Sequence, residues 1–138
     1  MRSKELMMGD WVSLFQGNPD GTNCNVQVTF VGEYGEIGIE GCEEYTSANC
    51  NLLFPIPLTP EILEKNEFKF YCTDVFEEWK SKDKRITIHD EEYPNSFNKW
   101  AVHVDTEDMR TMGYFEITYV HELQHALRLC GINKEIEL

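Results

Sequence analysis

Positive charge is scarce in this chain beside negative charge. It carries 12 Lys and Arg against 25 Asp and Glu, a formal net charge of −13 with His neutral. A surface that negative repels phosphate backbones, which proteins hold with Lys and Arg, so nucleic acid is not an expected partner. The densest basic stretch is Lys80, Lys82, Lys84 and Arg85, interrupted by Asp83, and it reads as a solvated turn. An acidic surface instead suits a basic protein partner, including a nucleic-acid-binding protein for which it would act as a decoy.

Long apolar runs are missing as well. None approaches the roughly 18 residues a membrane helix needs. The opening Met1 to Asp10 has neither the apolar core nor the small-residue cleavage site of a secretory signal, so a cytoplasmic location without membrane association is expected. Cysteine is present but unpatterned. Cys24, Cys42, Cys50, Cys72 and Cys130 make an odd count with no C-x-x-C pair, and reduced thiols are the simplest reading. A thiolate zinc site from Cys24, Cys42 and Cys50 would have no ordinary ligand spacing. Cys130 falls at a helix C-terminus, where the dipole disfavours a thiolate, so it is a poor nucleophile.

Several signatures of chemistry are absent. There is no G-x-S-x-G, no P-loop and no G-x-G-x-x-G. Without a D-x-D-x-D-G loop, Asp90, Glu91 and Glu92 with Asp105, Glu107 and Asp108 read as solvated acidic loops, not a hard-cation site. No internal repeat or low-complexity tract interrupts the chain.

What is there is enough apolar material for a packed core: 138 residues, 41% hydrophobic and 12% aromatic. The expected fold class is α+β. An N-terminal group of strands resembling a small SH3-like β-barrel precedes a short helix, antiparallel strands and one C-terminal amphipathic helix. One domain, 1–138, is expected, with sub-units 1–55 and 56–138. Trp11 to Gln16, Val26 to Val31 and Ile37 to Glu40 read as strands, with a turn at Gly17-Asn18-Pro19-Asp20-Gly21. Pro55-Ile56-Pro57 reads as an extended connector. Thr59 caps a helix with Pro60 at its first position, Glu61 at its positive end and Leu58 and Leu63 spaced as a staple, stopping near Asn66. Lys69 to Thr73, Arg85 to His89, Trp100 to Asp105 and Tyr114 to Thr118 are further strands, with a turn near Ser81 to Asp83 and a loop around Pro94-Asn95-Ser96. The closing helix spans about Tyr119 to Cys130, with Gly131 as its stop and Ile132 packing back. Asn133 to Leu138 reads as an extended or frayed tail. Trp11, Trp79 and Trp100 are expected in the core or at its rim.

One motif carries chemistry: His121-Glu122-Leu123-Gln124-His125. Two His at i and i+4 on a helix can share one Zn²⁺, and the Glu between them can take a proton from the metal-bound water. That assignment would make His121 and His125 metal ligands and Glu122 the catalytic base. It lacks a third ligand of its own. No His follows His125, leaving Glu135 or Glu137 in the tail, or His89 or His103 upstream. On a helical wheel Val120, Leu123, Ala126, Leu127 and Cys130 form the apolar arc, while His121, Gln124, His125 and Arg128 form a polar arc expected to face water. Arg128 on the same arc opposes a cation there.

The segments Ile56 to Asn66 (IPLTPEILEKN) and Tyr119 to Ile132 (YVHELQHALRLCGI), with the opening Leu6 to Val12 (LMMGDWV), resemble a family of short uncharacterised proteins. These are frequent in Bacteroides and related gut bacteria, often beside prophage or mobile-element genes. Together the segments cover about two-fifths of the chain. The resemblance carries over no catalytic residue, and in relatives the position matching His125 is often Asn. It implies a non-enzymatic interaction or accessory protein of phage or mobile-element origin, with an unidentified protein partner and no cofactor. The alternatives are a zinc-dependent metallopeptidase through the His pair and an acidic nucleic-acid mimic.

Overall fold

The structure, a computed structural model, describes residues 1–15, 23–74, 77–90 and 99–138. The chain divides into two compact units, Met1–Ile56 and Pro57–Leu138. Both are built on antiparallel sheets, and with two α-helices among the described residues the fold is α+β. The expected turn at Gly17 to Gly21 and the loop around Pro94 to Ser96 lie outside the described residues, as do Gln16, Glu91 and Glu92.

The N-terminal unit is a five-stranded sheet of β1 (Trp11–Phe15), β2 (Asn23–Val31), β3 (Glu36–Glu40), β4 (Ser47–Asn49) and β5 (Leu53–Pro55). Its order is β4-β3-β2-β1-β5, and it does not close into a barrel among the described residues. A 3-10 turn, Cys50–Leu52, joins β4 to β5. Alternation puts Val12 and Leu14 on the same face as Val26, Val28, Ile37, Ile39 and Leu53, and these bury one another together with Leu6. The chain enters β1 through a tight turn. Gly9 has φ 85, its N–H donates to the Val28 carbonyl, and the fully buried Asp10 accepts the Met7 N–H at 2.7 Å.

The C-terminal unit begins with α1 (Pro60–Lys65). The Thr59 hydroxyl accepts the Ile62 N–H, and Pro60 opens the helix as its cap chemistry predicts. The Glu61 carboxyl is lowered by its own backbone N–H and by the Thr59 hydroxyl. A second sheet follows: β6 (Lys69–Cys72), β7 (Glu77–Lys80), β8 (Ile86–Asp90), β9 (Trp100–Asp105) and β10 (Thr111–Ile117), in the order β10-β9-β8-β7-β6. Helix α2 (Val120–Leu129) ends in a Schellman motif. Gly131 sits at φ 70, its N–H donates to Arg128, and the Ile132 N–H donates to Leu127.

Pairing sorts the second sheet into two faces. Trp79, Ile88, Val102 and Phe115 form one cross-strand row, and Ile86, Val104 and Gly113 the next. Helix α2 lies on this face, because a Cβ added at Gly113 would come within 3.1 Å of Cys130 Sγ. The other face carries Glu78, His89, Ala101 and Glu116 in one row and Lys80, Thr87, His103 and Tyr114 in the next. Trp79 and Trp100 are buried, and the Trp100 indole donates to the Leu58 carbonyl at 3.2 Å, while Trp11 is half-buried.

Of the two forms expected of the tail, extended or frayed, the structure rules out the second. The buried Asn66 grips Glu137, donating from Nδ2 to its carbonyl at 2.7 Å and accepting its N–H at 2.8 Å, and Lys65 donates to the Leu138 carbonyl. Ile136 is buried at 3% exposure. Pattern alone missed this, because one buried apolar residue among Asn, Lys and Glu has no period.

Candidate functional site

The candidate site is the first turn and a half of α2. Its helix starts where the main chain leaves β10, with Tyr119 bridged to Pro57. The free N–H groups of that start need acceptors. Glu122 supplies one: its Oε2 accepts the Thr118 N–H at 2.7 Å and the Tyr119 N–H at 3.0 Å. This is the Glu half of a capping box. The carboxylate that the peptidase reading casts as a proton acceptor is turned to the helix's own N-terminus.

The two His differ in environment. His121 is buried at 6% exposure and His125 is half-buried. The rings meet edge to face at 5.6 Å, and Tyr119 stacks on His121 at 5.9 Å with an interplanar angle of 13°. Gln124 is buried as well. The expected solvent-facing polar arc is therefore corrected: of its four members, Arg128 is exposed, His125 half-buried, and His121 and Gln124 lie in the interior. A single helical wheel places a residue on one side or another, and this helix has neighbours on more than its apolar arc.

The upstream His cannot complete a site with this pair. His89 and His103 stack on each other at 5.4 Å, and Tyr114 meets His103 at 4.7 Å. All three belong to the face of the sheet opposite α2. In the tail, Glu137 has its backbone held by Asn66, and Glu135 is exposed. Among the described residues, no three His, Cys, Asp or Glu side chains converge as metal ligands would.

The remaining candidates separate in the same way. Cys24 and Cys42 are neighbours, and burial followed by that contact pushes the Cys24 thiol up. Cys50 lies beside Asn49 and Asn51 instead. Burial also raises the Cys130 thiol, against the pull of Arg85, in keeping with a poor nucleophile. Asp90 pairs with Trp100 at one end of β9, while Asp105 ends the strand and Asp108 meets Arg110 at 3.4 Å. The basic stretch is divided too: Lys80 pairs with Glu78 at 2.7 Å, and Arg85 donates to the Asp105 carbonyl.

One feature left no signal in the sequence. At the end of the N-terminal sheet a groove of about 540 Å³ is lined by Leu14, Phe15, Tyr34, Glu36, Tyr45 and Leu52, among others. Its residues are scattered over forty positions and gather only when β1, β3, β4 and the 3-10 turn come together.

Among the described residues no helix is long and apolar enough to cross a membrane. Comparison of the chain with models of protein families, with curated proteins and with solved structures finds no match.

Proposed function

We propose that this chain is a non-enzymatic interaction or accessory protein, of the phage or mobile-element origin its resemblance implies. The observation that carries the reading is the apolar surface of the N-terminal unit. Phe15, Tyr34, Tyr45, Leu52 and Phe54 are all exposed, Tyr34 at 95%. Scattered single apolar residues are ordinary, but a contiguous group of large ones marks a surface that meets something. Phe15, Tyr34, Tyr45 and Leu52 line one groove, and Phe54 meets Phe15 edge to face at 6.4 Å, which joins the group. The strand order, with a 3-10 turn ahead of the last strand, is also in keeping with an SH3-like interaction module.

The alternative, a zinc-dependent metallopeptidase, rests on the His121 to His125 motif. It asks Glu122 to leave the helix cap and a third ligand to arrive from elsewhere. Metal content by mass spectrometry on untagged protein separates the two, with His125→Ala as the paired variant because His125 is less buried than His121. Equal metal in both proteins and no casein hydrolysis is the expected result. About one zinc per chain that His125→Ala loses, with hydrolysis abolished by Glu122→Gln, would replace this reading with the peptidase.

A further inference from the structure

We infer that the groove of the N-terminal unit is a docking site for an arginine-bearing segment of a partner protein. The inference rests on the reading of the chain as an interaction protein and names what that surface takes.

The groove is apolar at its base and aromatic at its walls. Leu14 is buried beneath it, while Phe15, Tyr34 and Tyr45 expose their rings along it. Its volume of about 540 Å³ holds a few side chains, not a folded domain. Aromatic faces attract cations as well as apolar groups. Glu36 stands in the wall with its side chain exposed. Both groove tyrosines are flanked by acid in the sequence: Glu33-Tyr34-Gly35-Glu36 and Glu43-Glu44-Tyr45.

The charge of the whole unit decides the sign of the partner. Arg2 and Lys4 are its only basic residues, and no Lys or Arg occurs between Glu5 and Glu64. The chain itself brings no cation from that stretch to Glu33, Glu36, Glu43 or Glu44. A ligand that supplies one gains both carboxylate and ring contacts. Arginine fits better than lysine, because its planar guanidinium stacks on tyrosine and forks onto a carboxylate at once. An anionic ligand would meet the Glu36 carboxylate in the wall and the net negative charge of the surrounding stretch.

The test is selection of random dodecapeptides displayed on phage against the full chain, followed by amide shift mapping of the enriched peptides. Enrichment of arginine over lysine, saturable shifts at Tyr34, Glu36, Tyr45 and Leu52, and affinity lowered about fivefold or more by Tyr34→Ala and by Glu36→Gln is the expected result. Both substitutions are at exposed positions, and unchanged thermal unfolding checks that the fold is intact. Failure to enrich, enrichment without arginine, or equal binding by both variants overturns the inference. Enriched peptides that map to the face of His89 and His103 also overturn it, yet leave the interaction reading standing. Zinc-dependent hydrolysis through Glu122 would remove that reading whatever the groove binds.

Discussion

Glu122 shows how one residue can satisfy a motif and serve another purpose. In the sequence it sits between two His at the spacing of a zinc site. In the fold it closes the N-terminus of α2 through two N–H bonds. The cap assignment predicts that Glu122→Ala costs about 1 kcal/mol, while Glu122→Gln, which keeps an acceptor oxygen, costs roughly half. Chemical denaturation reads both, and an alanine variant as stable as wild type would refute the cap. Asn66 predicts a larger loss. Its side chain makes three hydrogen bonds, to Ile62 and twice to Glu137, from a site 5% exposed. Asn66→Ala leaves the Glu137 N–H and carbonyl without their partner and should cost about 2–3 kcal/mol, with faster amide exchange at Glu137. Unchanged exchange there would show that the tail is held by other contacts.

At the scale of the element, the turn between β7 and β8 is a network that titrates. Asp83 Oδ1 accepts the Ser81 hydroxyl at 2.6 Å and the Arg85 N–H at 3.1 Å, and Ser81 Oγ accepts the Ile86 N–H. The Ser81 hydroxyl holds the Asp83 carboxyl below the ordinary carboxylate range, helped by Arg85 and opposed by partial burial. A depressed carboxyl stabilises the fold above its unfolded pKa, and that gain is lost as pH falls through the folded value. Asp83→Asn should therefore be less stable than wild type at neutral pH and equal to it in strong acid. A stability difference that does not change with pH would mean that the carboxylate charge contributes nothing. Elements were legible in proportion to how much of their cause is local. Thr59-Pro60-Glu61 and Gly131 announce helix ends, and Val26 and Val28 announce a strand, because cap and period are short-range; Phe30, expected on their face, is exposed because the register shifts between Val28 and Phe30. Ser47–Asn49 and Glu77–Lys80 carry neither apolar alternation nor β-branched residues, and are strands only because β3, β6 and β8 pair with them. The Pro55 end of β5 reads as a connector for the same reason, although Leu53, Phe54 and Pro55 align against β1. The candidate site divides likewise: the His spacing was visible, whereas the cap role of Glu122 and the burial of His121 depend on what surrounds α2.

At the scale of the molecule, the surplus of acid sets how stability responds to salt. The net charge of −13 is shared by both units, and Glu78 and Asp108 are acids held by close ion pairs within the described residues. Glu33, Glu36, Glu40, Glu43 and Glu44 crowd one short stretch with no intervening cation. Their mutual repulsion acts over distances comparable with the Debye length, about 10 Å at 0.1 M, so added salt should weaken it. Raising sodium chloride from low to half-molar is expected to stabilise the chain by about 1 kcal/mol, or roughly 3–5 °C in Tm. Salt also strengthens apolar burial, so the paired control is Glu43→Gln/Glu44→Gln, which removes two of the charges at exposed positions. If repulsion is the cause, the double variant starts more stable at low salt and gains less from added salt. Equal slopes for the two proteins would assign the salt response to apolar burial and leave the acidic stretch without a stability cost. The slope difference also bears on the groove. Glu36 belongs both to the acidic stretch and to the groove wall, so an arginine-bearing ligand there would relieve part of the repulsion that salt screens.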